Sequence, residues 1–448
     1  VFRELSEVSN ALVSMSNEVV EFWSQHQIFP QRSKISSLGL GARTLSRVEH
    51  YSVESIPEVI DHCFIQQPSG WENVADRFPV VPLTQSIDNL VHLAAELVPE
   101  LIPIGLERIR ANRWIEVAPP VEVDIKADFD GKDRVLIKIG DYLEGTVVLA
   151  EGYPPAPTPL PLKMGSGPQP CVTALQYYED RWTFHGPAFR GLIGLGPMSE
   201  NGVKGVIECL PARGALLDAA GQLAGYWCMA HTEVDRLALP YRIDRIRFFG
   251  PHPLPGTHLE ATVHIHELTD IWQRADVEIH RNNRLWAKIE GLEDRRFQLD
   301  ERYFRVWRFP KTHSVATIRP EGYCLVNESW RTSASRYFVA RLYLNAEEMG
   351  EYRNKQVRTQ RAWLMGRIAV KEAIRSLLWD RGHAEIFPTQ VQVHNDTAGR
   401  PWVSGPWDLD LRVSLAHKEA IAVALIAIGG EVGVDLEALE VADDQQGR

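Results

Sequence analysis

At 448 residues the chain is longer than one hydrophobic core organises, because single cores stop growing at about 250–300 residues. Apolar residues make up 44% and charged residues 24%, ordinary values for a globular protein, which excludes a mostly disordered chain or a coiled coil. With 48 Lys and Arg against 59 Asp and Glu the formal charge is −11, and so acidic a chain lacks the clustered basic charge that nucleic acid or an anionic membrane surface requires.

Taken in chain order, residues 4–24 set Leu5, Val8, Leu12, Met15, Val19 and Trp23 on a helical stripe, read as a packing helix within a leader over 1–45. Block 46–150 alternates turns with strand-like runs, Val121–Ile125 and Arg134–Ile139 among them, around one strongly helical stretch, Ser86–Leu97. A stiff Pro-rich spacer over 151–170, opening Tyr153-Pro154-Pro155, divides it from the next block. Block 171–300 repeats the plan, with strands at Gly205–Cys209, Leu259–His266 and Arg274–His280 and a helix at Ala215–Met229. One long helix wrapped by an antiparallel sheet, occurring twice, is the outline of a double hotdog, an α+β fold whose halves here share pattern and not sequence. After a linker over 301–311, block 312–448 changes to an α/β lobe with a long helix, Gln356–Trp379, and strands at Leu411–Leu415 and Ala420–Ala427. There is no run of 18 apolar residues and no basic region followed by an apolar stretch at the start, so neither a membrane-spanning helix nor a signal peptide is expected. Cys63, Cys171, Cys209, Cys228 and Cys324 stand singly, without zinc spacing or a disulfide framework, so a reducing, cytoplasmic setting is expected.

Within Ala215–Met229, Asp218 and Gln222 stand at i and i+4, on one helix face near its N-terminus. Alone, Asp218 is an ordinary charge complement to a helix N-terminus. Upstream lies His185-Gly186-Pro187-Ala188-Phe189-Arg190; downstream, Leu239-Pro240 is followed by Ile243 and Ile246. In this order the three segments resemble polyketide synthase dehydratase domains: the DxxxQ motif, the YGPxFQ motif with His for Tyr and Arg for Gln, and the Leu-Pro segment. The resemblance implies a partner histidine from the first hotdog, and Asp61-His62-Cys63-Phe64 makes it His62. The family spacing HxxxGxxxxP is not kept, since the first glycine after His62 is Gly70, eight residues on. Losing water from a 3-hydroxyacyl thioester takes a base for a weakly acidic α-proton and an acid for a poor leaving group; neutral imidazole and a protonated carboxylic acid suit these tasks. The resemblance thus implies His62 as base, Asp218 as an acid kept protonated by an apolar tunnel, and Gln222 as the group orienting Asp218. His185, Gly186, Pro187, Phe189 and Tyr226 are expected to line the substrate, with no cofactor and no metal.

In the third block Arg367, Lys371 and Arg375 follow at i+4 steps, by themselves the pattern of a solvated basic helix face. Ala398-Gly399-Arg400-Pro401 is a turn with one cation, Ser414-Leu415-Ala416-His417 spans a strand end, and Asp435 and Glu437 alternate along Gly433-Val434-Asp435-Leu436-Glu437. Carboxylates two apart in extended chain point to one side, which suits Mg²⁺ bridging to phosphates. Over Arg361–Glu437 this order resembles the first lobe of Sfp-type 4′-phosphopantetheinyl transferases. That resemblance implies coenzyme A phosphates held by Arg367, Lys371, Arg400, Ser414 and His417, and Mg²⁺ by Asp435 and Glu437. The family's second lobe, with its W-x-x-K-E-A motif, has no counterpart before Arg448, so the transferase is expected to be incomplete and the chain a segment of something longer.

The expected function is dehydration of 3-hydroxyacyl chains on an acyl carrier protein, within an iterative type I synthase of the enediyne kind, beside other synthase domains and with a homodimer plausible for hotdogs. Two rivals stand: a product-template cyclase, which resembles the same fold and pair, and a non-catalytic scaffold that docks carrier protein. Docking an acidic carrier would call on a local basic patch such as Arg242, Arg245 and Arg247.

Overall fold

Strand β3, Val121–Phe129, shows the rule that builds most of the molecule: Val123, Ile125, Ala127 and Phe129 are buried while the charged residues between them face solvent. The structure, a computed structural model, describes residues 40–157, 170–234, 236–319, 322–383 and 385–437. The helix expected over 4–24 and most of the Pro-rich spacer lie outside these residues.

In the first half β1 (Arg43–Tyr51), β2 (Ile102–Ala111), β3, β4 (Arg134–Ile139) and β5 (Leu143–Ala150) pair antiparallel in the order β1-β3-β4-β5-β2. Helix α1, Leu83–Leu97, buries Ile87, Leu90 and Ala94 against them, one stripe at helical spacing. After the short helix α2, Ala174–Glu179, the second half has β6 (Leu192–Ser199), β7 (Gly202–Glu208), β8 (Ala238–Phe248), β9 (His258–Leu268), β10 (Trp272–Arg281) and β11 (Arg284–Arg296). Its order is β8-β11-β10-β9-β7-β6 around helix α3, Ala215–His231. Helix α3 is buried on nearly every face, Leu216, Leu223 and Trp227 included, as a helix enclosed by its own sheet must be. Strands β2 and β8 pair antiparallel, Gly105 opposite Arg247 and Ile109 opposite Ile243, so the two helix-wrapped sheets join into one eleven-stranded sheet. This is the double hotdog that the chain order suggested.

Residues 301–311, read in sequence as a linker, instead form helix α4, Glu301–Arg308, with Tyr303, Phe304, Val306 and Trp307 buried. Buried Trp307 donates its indole N–H to the Phe64 carbonyl at 2.7 Å, 243 residues back along the chain. In the third block the long α7 (Val357–Asp380), against which α5 (Ser333–Tyr343) and α6 (Ala346–Asn354) pack, lies on a sheet ordered β12-β13-β17-β16. Its strands are β12 (Thr317–Ile318), β13 (Tyr323–Asn327), β16 (Leu411–Lys418) and β17 (Ile421–Ile428), beside a hairpin of β14 (Gln392–Asn395) and β15 (Pro401–Ser404). The lobe is tied to the first hotdog at Glu116, which accepts from Tyr337 at 2.7 Å and Arg341 at 3.1 Å. Replacing Trp307 by Phe strands the buried Phe64 carbonyl, which costs about 1–3 kcal/mol; thermal unfolding should register a lower midpoint.

Candidate active site

His62 closes a short 3-10 turn, Pro57–Asp61, and is 5% exposed. Its Nδ1 lies 2.6 Å from the Val80 carbonyl. A carbonyl only accepts, so Nδ1 carries the proton and Nε2 presents its lone pair. The rings of Phe184, Phe189 and His185 stand 4.9, 5.5 and 5.1 Å away. Burial in this setting, with the charge on His185 adding to it, lowers the imidazole pKa from 6.5 to about 4. His62 is therefore a neutral base throughout the physiological range.

The second hotdog supplies the opposing group. Asp218 sits in the first turn of α3, and its Oδ2 accepts from Gln222 Nε2 at 2.7 Å and lies 3.1 Å from His185 Nε2. Gln222 is held in turn: Nε2 also donates to the Phe189 carbonyl at 2.7 Å, and Oε1 accepts from the Tyr178 hydroxyl at 2.7 Å. The ligating atoms of His62, His185 and Asp218 fall within 4.8 Å of one another, so the pair expected from two halves of the sequence does meet. One expectation about Asp218 changes. Burial raises its pKa, but the charge and hydrogen bond of His185, followed by His62 and Gln222, outweigh burial and leave it lowered. The apolar tunnel alone would have favoured the neutral acid; the histidine beside it favours the carboxylate.

These groups open on a cavity of about 140 Å³, walled also by Val81, Ile87, Trp114, Leu239 and Ile243. On α3 the wall is Asp218, Gly221, Gln222, Gly225 and Met229, one helix face. A Cβ added at Gly225 would meet nothing within 4 Å, so this glycine leaves open space along the cavity.

Of the expected lining residues, His185 is in the wall, while Gly186, Pro187, Phe189 and Tyr226 are not. They form the support behind it. Gly186 N donates to the Asp61 carbonyl at 2.7 Å, and Ala188 N to Asp61 Oδ2 at 2.9 Å, within the turn begun by Pro187. Phe189 offers its carbonyl to Gln222, and Tyr226 packs edge-on against Tyr177. A Cβ at Gly186 would come within 2.3 Å of Asp61 Oδ1, so only glycine lets the two hotdogs close here. Gly186→Ala should cost about 1–3 kcal/mol of stability by overpacking. It should also slow turnover by displacing His62; a melting curve and a rate on one sample check both effects. Gly70 is exposed and outside the cavity wall, so it cannot polarise a thioester there. Sequence reasoning passed over Asp61, Thr183 and Trp307. Asp61 adjoins His62 and Thr183 adjoins the His185 motif, which is a usable signal; Trp307 gave none.

The lobe rearranges the expected phosphate site. The face Arg367, Lys371, Arg375 is neither solvated nor free for phosphate: the three are 4%, 0% and 0% exposed. Lys371 Nζ donates to Glu348 Oε2 at 2.6 Å and to the Pro388 carbonyl at 3.2 Å. Arg375 pairs with Glu372 at 2.6 Å, and Arg367 donates to Asn395 at 2.9 Å. Lys371 is therefore held as a structural ion pair and does not face a coenzyme, because its ammonium is fully buried and bonded to a carboxylate and a carbonyl. Ser414 Oγ accepts from Val434 N at 3.0 Å, which moors the acidic segment to β16. Arg400, His417, Asp435 and Glu437 are exposed, with Glu437 bonded by Lys418 at 3.1 Å. Arg242, Arg245 and Arg247 do not form a bare basic patch; they pair with Asp244 at 2.8 Å, Glu107 at 3.5 Å and Glu290 at 2.9 Å. Among the described residues no helix is long and apolar enough to cross a membrane.

Residues 174–302 match the family model described as polyketide synthase dehydratase N-terminal domain. The match takes in His185, Asp218 and Gln222 and leaves out His62; in this chain it is the second of the two hotdogs. Among solved structures the chain is similar to the dehydratase domain from the CurF module of curacin polyketide synthase, with 14% identity, TM-score 0.44, and 58% of this chain and 96% of that one covered. It is also similar to the dehydratase domain of a mycocerosic acid synthase-like polyketide synthase, with 15% identity, TM-score 0.44, and 59% and 98% covered. A holo-[acyl-carrier-protein] synthase of Exiguobacterium sibiricum is 27% identical over 90 residues, 20% of this chain and 70% of that protein. The family match thus lies on the second hotdog, with the groups that it sets against His62.

Proposed function

We propose that this domain removes water from 3-hydroxyacyl thioesters carried on an acyl carrier protein and leaves 2-enoyl thioesters. The observation that carries the reading is the meeting of His62, from one hotdog, with Asp218 and Gln222, from the other, at an apolar cavity. His62 Nε2 takes the α-proton, the C–H electron pair becomes the new double bond, the Cβ–O bond breaks, and the departing hydroxyl takes a proton from the paired His185 and Asp218 to leave as water. The mostly apolar wall suits an acyl chain, and Gly225 leaves room beside it. Filling that room with Gly225→Leu should shift preference toward shorter chains, read as kcat/KM across a series of acyl lengths. The product distinguishes this reading from its rivals: mass spectrometry of the carrier-bound product should show loss of one water from a linear chain. A cyclised product would favour the cyclase reading, and an unchanged substrate the docking scaffold.

A second reading concerns the lobe, and the similarity to a holo-[acyl-carrier-protein] synthase favours it. We infer that Arg400 and His417 would face the phosphates of coenzyme A, and that Asp435 and Glu437 would hold Mg²⁺. Their exposure on neighbouring segments fits that use; the burial of Lys371 and Arg367 does not. Calorimetric titration with coenzyme A and Mg²⁺ should detect binding that Asp435→Ala removes.

A further inference from the structure

Resting on the dehydratase reading, we propose that the leaving hydroxyl is protonated by the His185 imidazolium, with Asp218 serving as the carboxylate that holds it, so that the site is a two-histidine proton relay. Three observations favour His185 over Asp218 as the group that gives the proton. Asp218 Oδ2 receives two donors, Gln222 Nε2 at 2.7 Å and His185 Nε2 at 3.1 Å, the arrangement that a carboxylate accepts and that keeps a proton on His185 Nε2 at the cavity. Asp218 lies in the first turn of α3, where the helix N-terminus favours an anion. The third observation is the partner of His185 Nδ1, the Thr183 hydroxyl at 2.5 Å. A hydroxyl accepts or donates as needed, so His185 keeps both bonds as imidazolium and keeps the Nδ1 bond after Nε2 has given its proton away. His62 is built the opposite way, since its Nδ1 faces a carbonyl that only accepts.

Both histidines and Asp218 line the same cavity, and since both donors reach Asp218 through Oδ2, its Oδ1 is available to the substrate hydroxyl. The step balances as follows. His62 Nε2 gains the α-proton, the C–H pair forms the double bond, the Cβ–O bond breaks, and the His185 Nε2 proton joins the departing hydroxyl as water. His62 ends as imidazolium and His185 as neutral imidazole; one proton returned through solvent restores the starting state. The charged and titratable groups around His185 are His62 and Asp61 from the first hotdog, Tyr177 and Tyr178 on α2, Arg190, whose Nε donates to the His185 carbonyl at 3.0 Å, and Asp218 on α3.

The test combines ¹⁵N NMR of histidine-labelled full chain at neutral pH with turnover of a carrier-bound 3-hydroxyacyl substrate in D₂O. The His185 nitrogens should both read as protonated in the resting protein, with the signals assigned against His185→Gln. That variant should lose water from substrate ~10²-fold or more slowly, the scale of a general acid. It should still exchange the α-hydrogen for deuterium, because His62 is intact, and His62→Phe should lose both. His185 nitrogens that read as neutral imidazole, or a His185→Gln rate within threefold of wild type, would overturn the proposal. The NMR arm needs no variant rate, and His185→Tyr, which restores the motif's usual residue, controls for a His185→Gln protein that folds poorly: a folded Tyr variant dehydrating at the wild-type rate also overturns it. A wild-type protein that releases no water at all would overturn instead the dehydratase reading beneath it.

Discussion

His62→Phe is expected to lower the rate of dehydration by ~10²–10⁴-fold, the range that a positioned general base contributes. The phenyl ring keeps the edge-on packing that His62 makes with Phe184 and Phe189, so the fold should survive while the lone pair at Nε2 is lost. The pH profile adds a second check. Burial holds the His62 pKa at about 4, so the base stays neutral across the physiological range and kcat/KM should fall on the acid side only as pH drops toward that value. The same shift acts on stability. The unfolded chain takes up this proton near pH 6.5 and the folded one only near pH 4, so His62 costs the fold stability as pH falls through that window. Chemical denaturation at two pH values should show the variant losing less stability between them than wild type. Equal dehydration by variant and wild type would show that His62 is not the base.

The second large effect lies far from the cavity. Lys371→Met should destabilise the third block by about 3–5 kcal/mol, because it leaves Glu348 buried as an unpaired charge. Glu348 is 4% exposed, and its other contacts are the Asn345 and Val393 backbone N–H groups, which stabilise the charged form without neutralising it. Adding Glu348→Leu should recover most of the loss, since replacing both partners of a buried pair by apolar groups is often neutral. Denaturant melts of the single and double variants read both. A single variant as stable as wild type would mean that Lys371 is free, and its role as a coenzyme ligand would reopen.

The sequence made the hotdogs legible because strands such as β3 and β4 alternate strictly and the helices between strands are long and apolar. Arg134–Ile139 matches β4 at both ends, and the helix read from Ser86 begins only three residues earlier, after Pro82. The candidate site's helix face was equally legible, since Asp218 and Gln222 at i and i+4 do share one hydrogen bond. Three things were hidden for physical reasons. A basic stripe at i+4 looks the same on a solvated helix as on one buried against carboxylates, so Lys371 and Arg375 could be told apart only by what packs on them. A linker and a helix such as α4 differ by long-range contacts, here Trp307 to Phe64, that no local window contains. The protonation of an acid depends on its neighbours in space, and the motif that marks Asp218 says nothing of the distance to His185.

The central claim is that His62 and the Asp218 group, contributed by different hotdogs, act as one catalytic unit. A double-mutant cycle on the rate of water loss, comparing His62→Phe, Asp218→Asn and the two together on one carrier-bound 3-hydroxyacyl substrate, tests this most directly. Groups that act in one step are strongly non-additive, so the double variant should be no slower than the slower single variant. If the two losses multiplied, the residues would act independently and the account of a shared site would be contradicted.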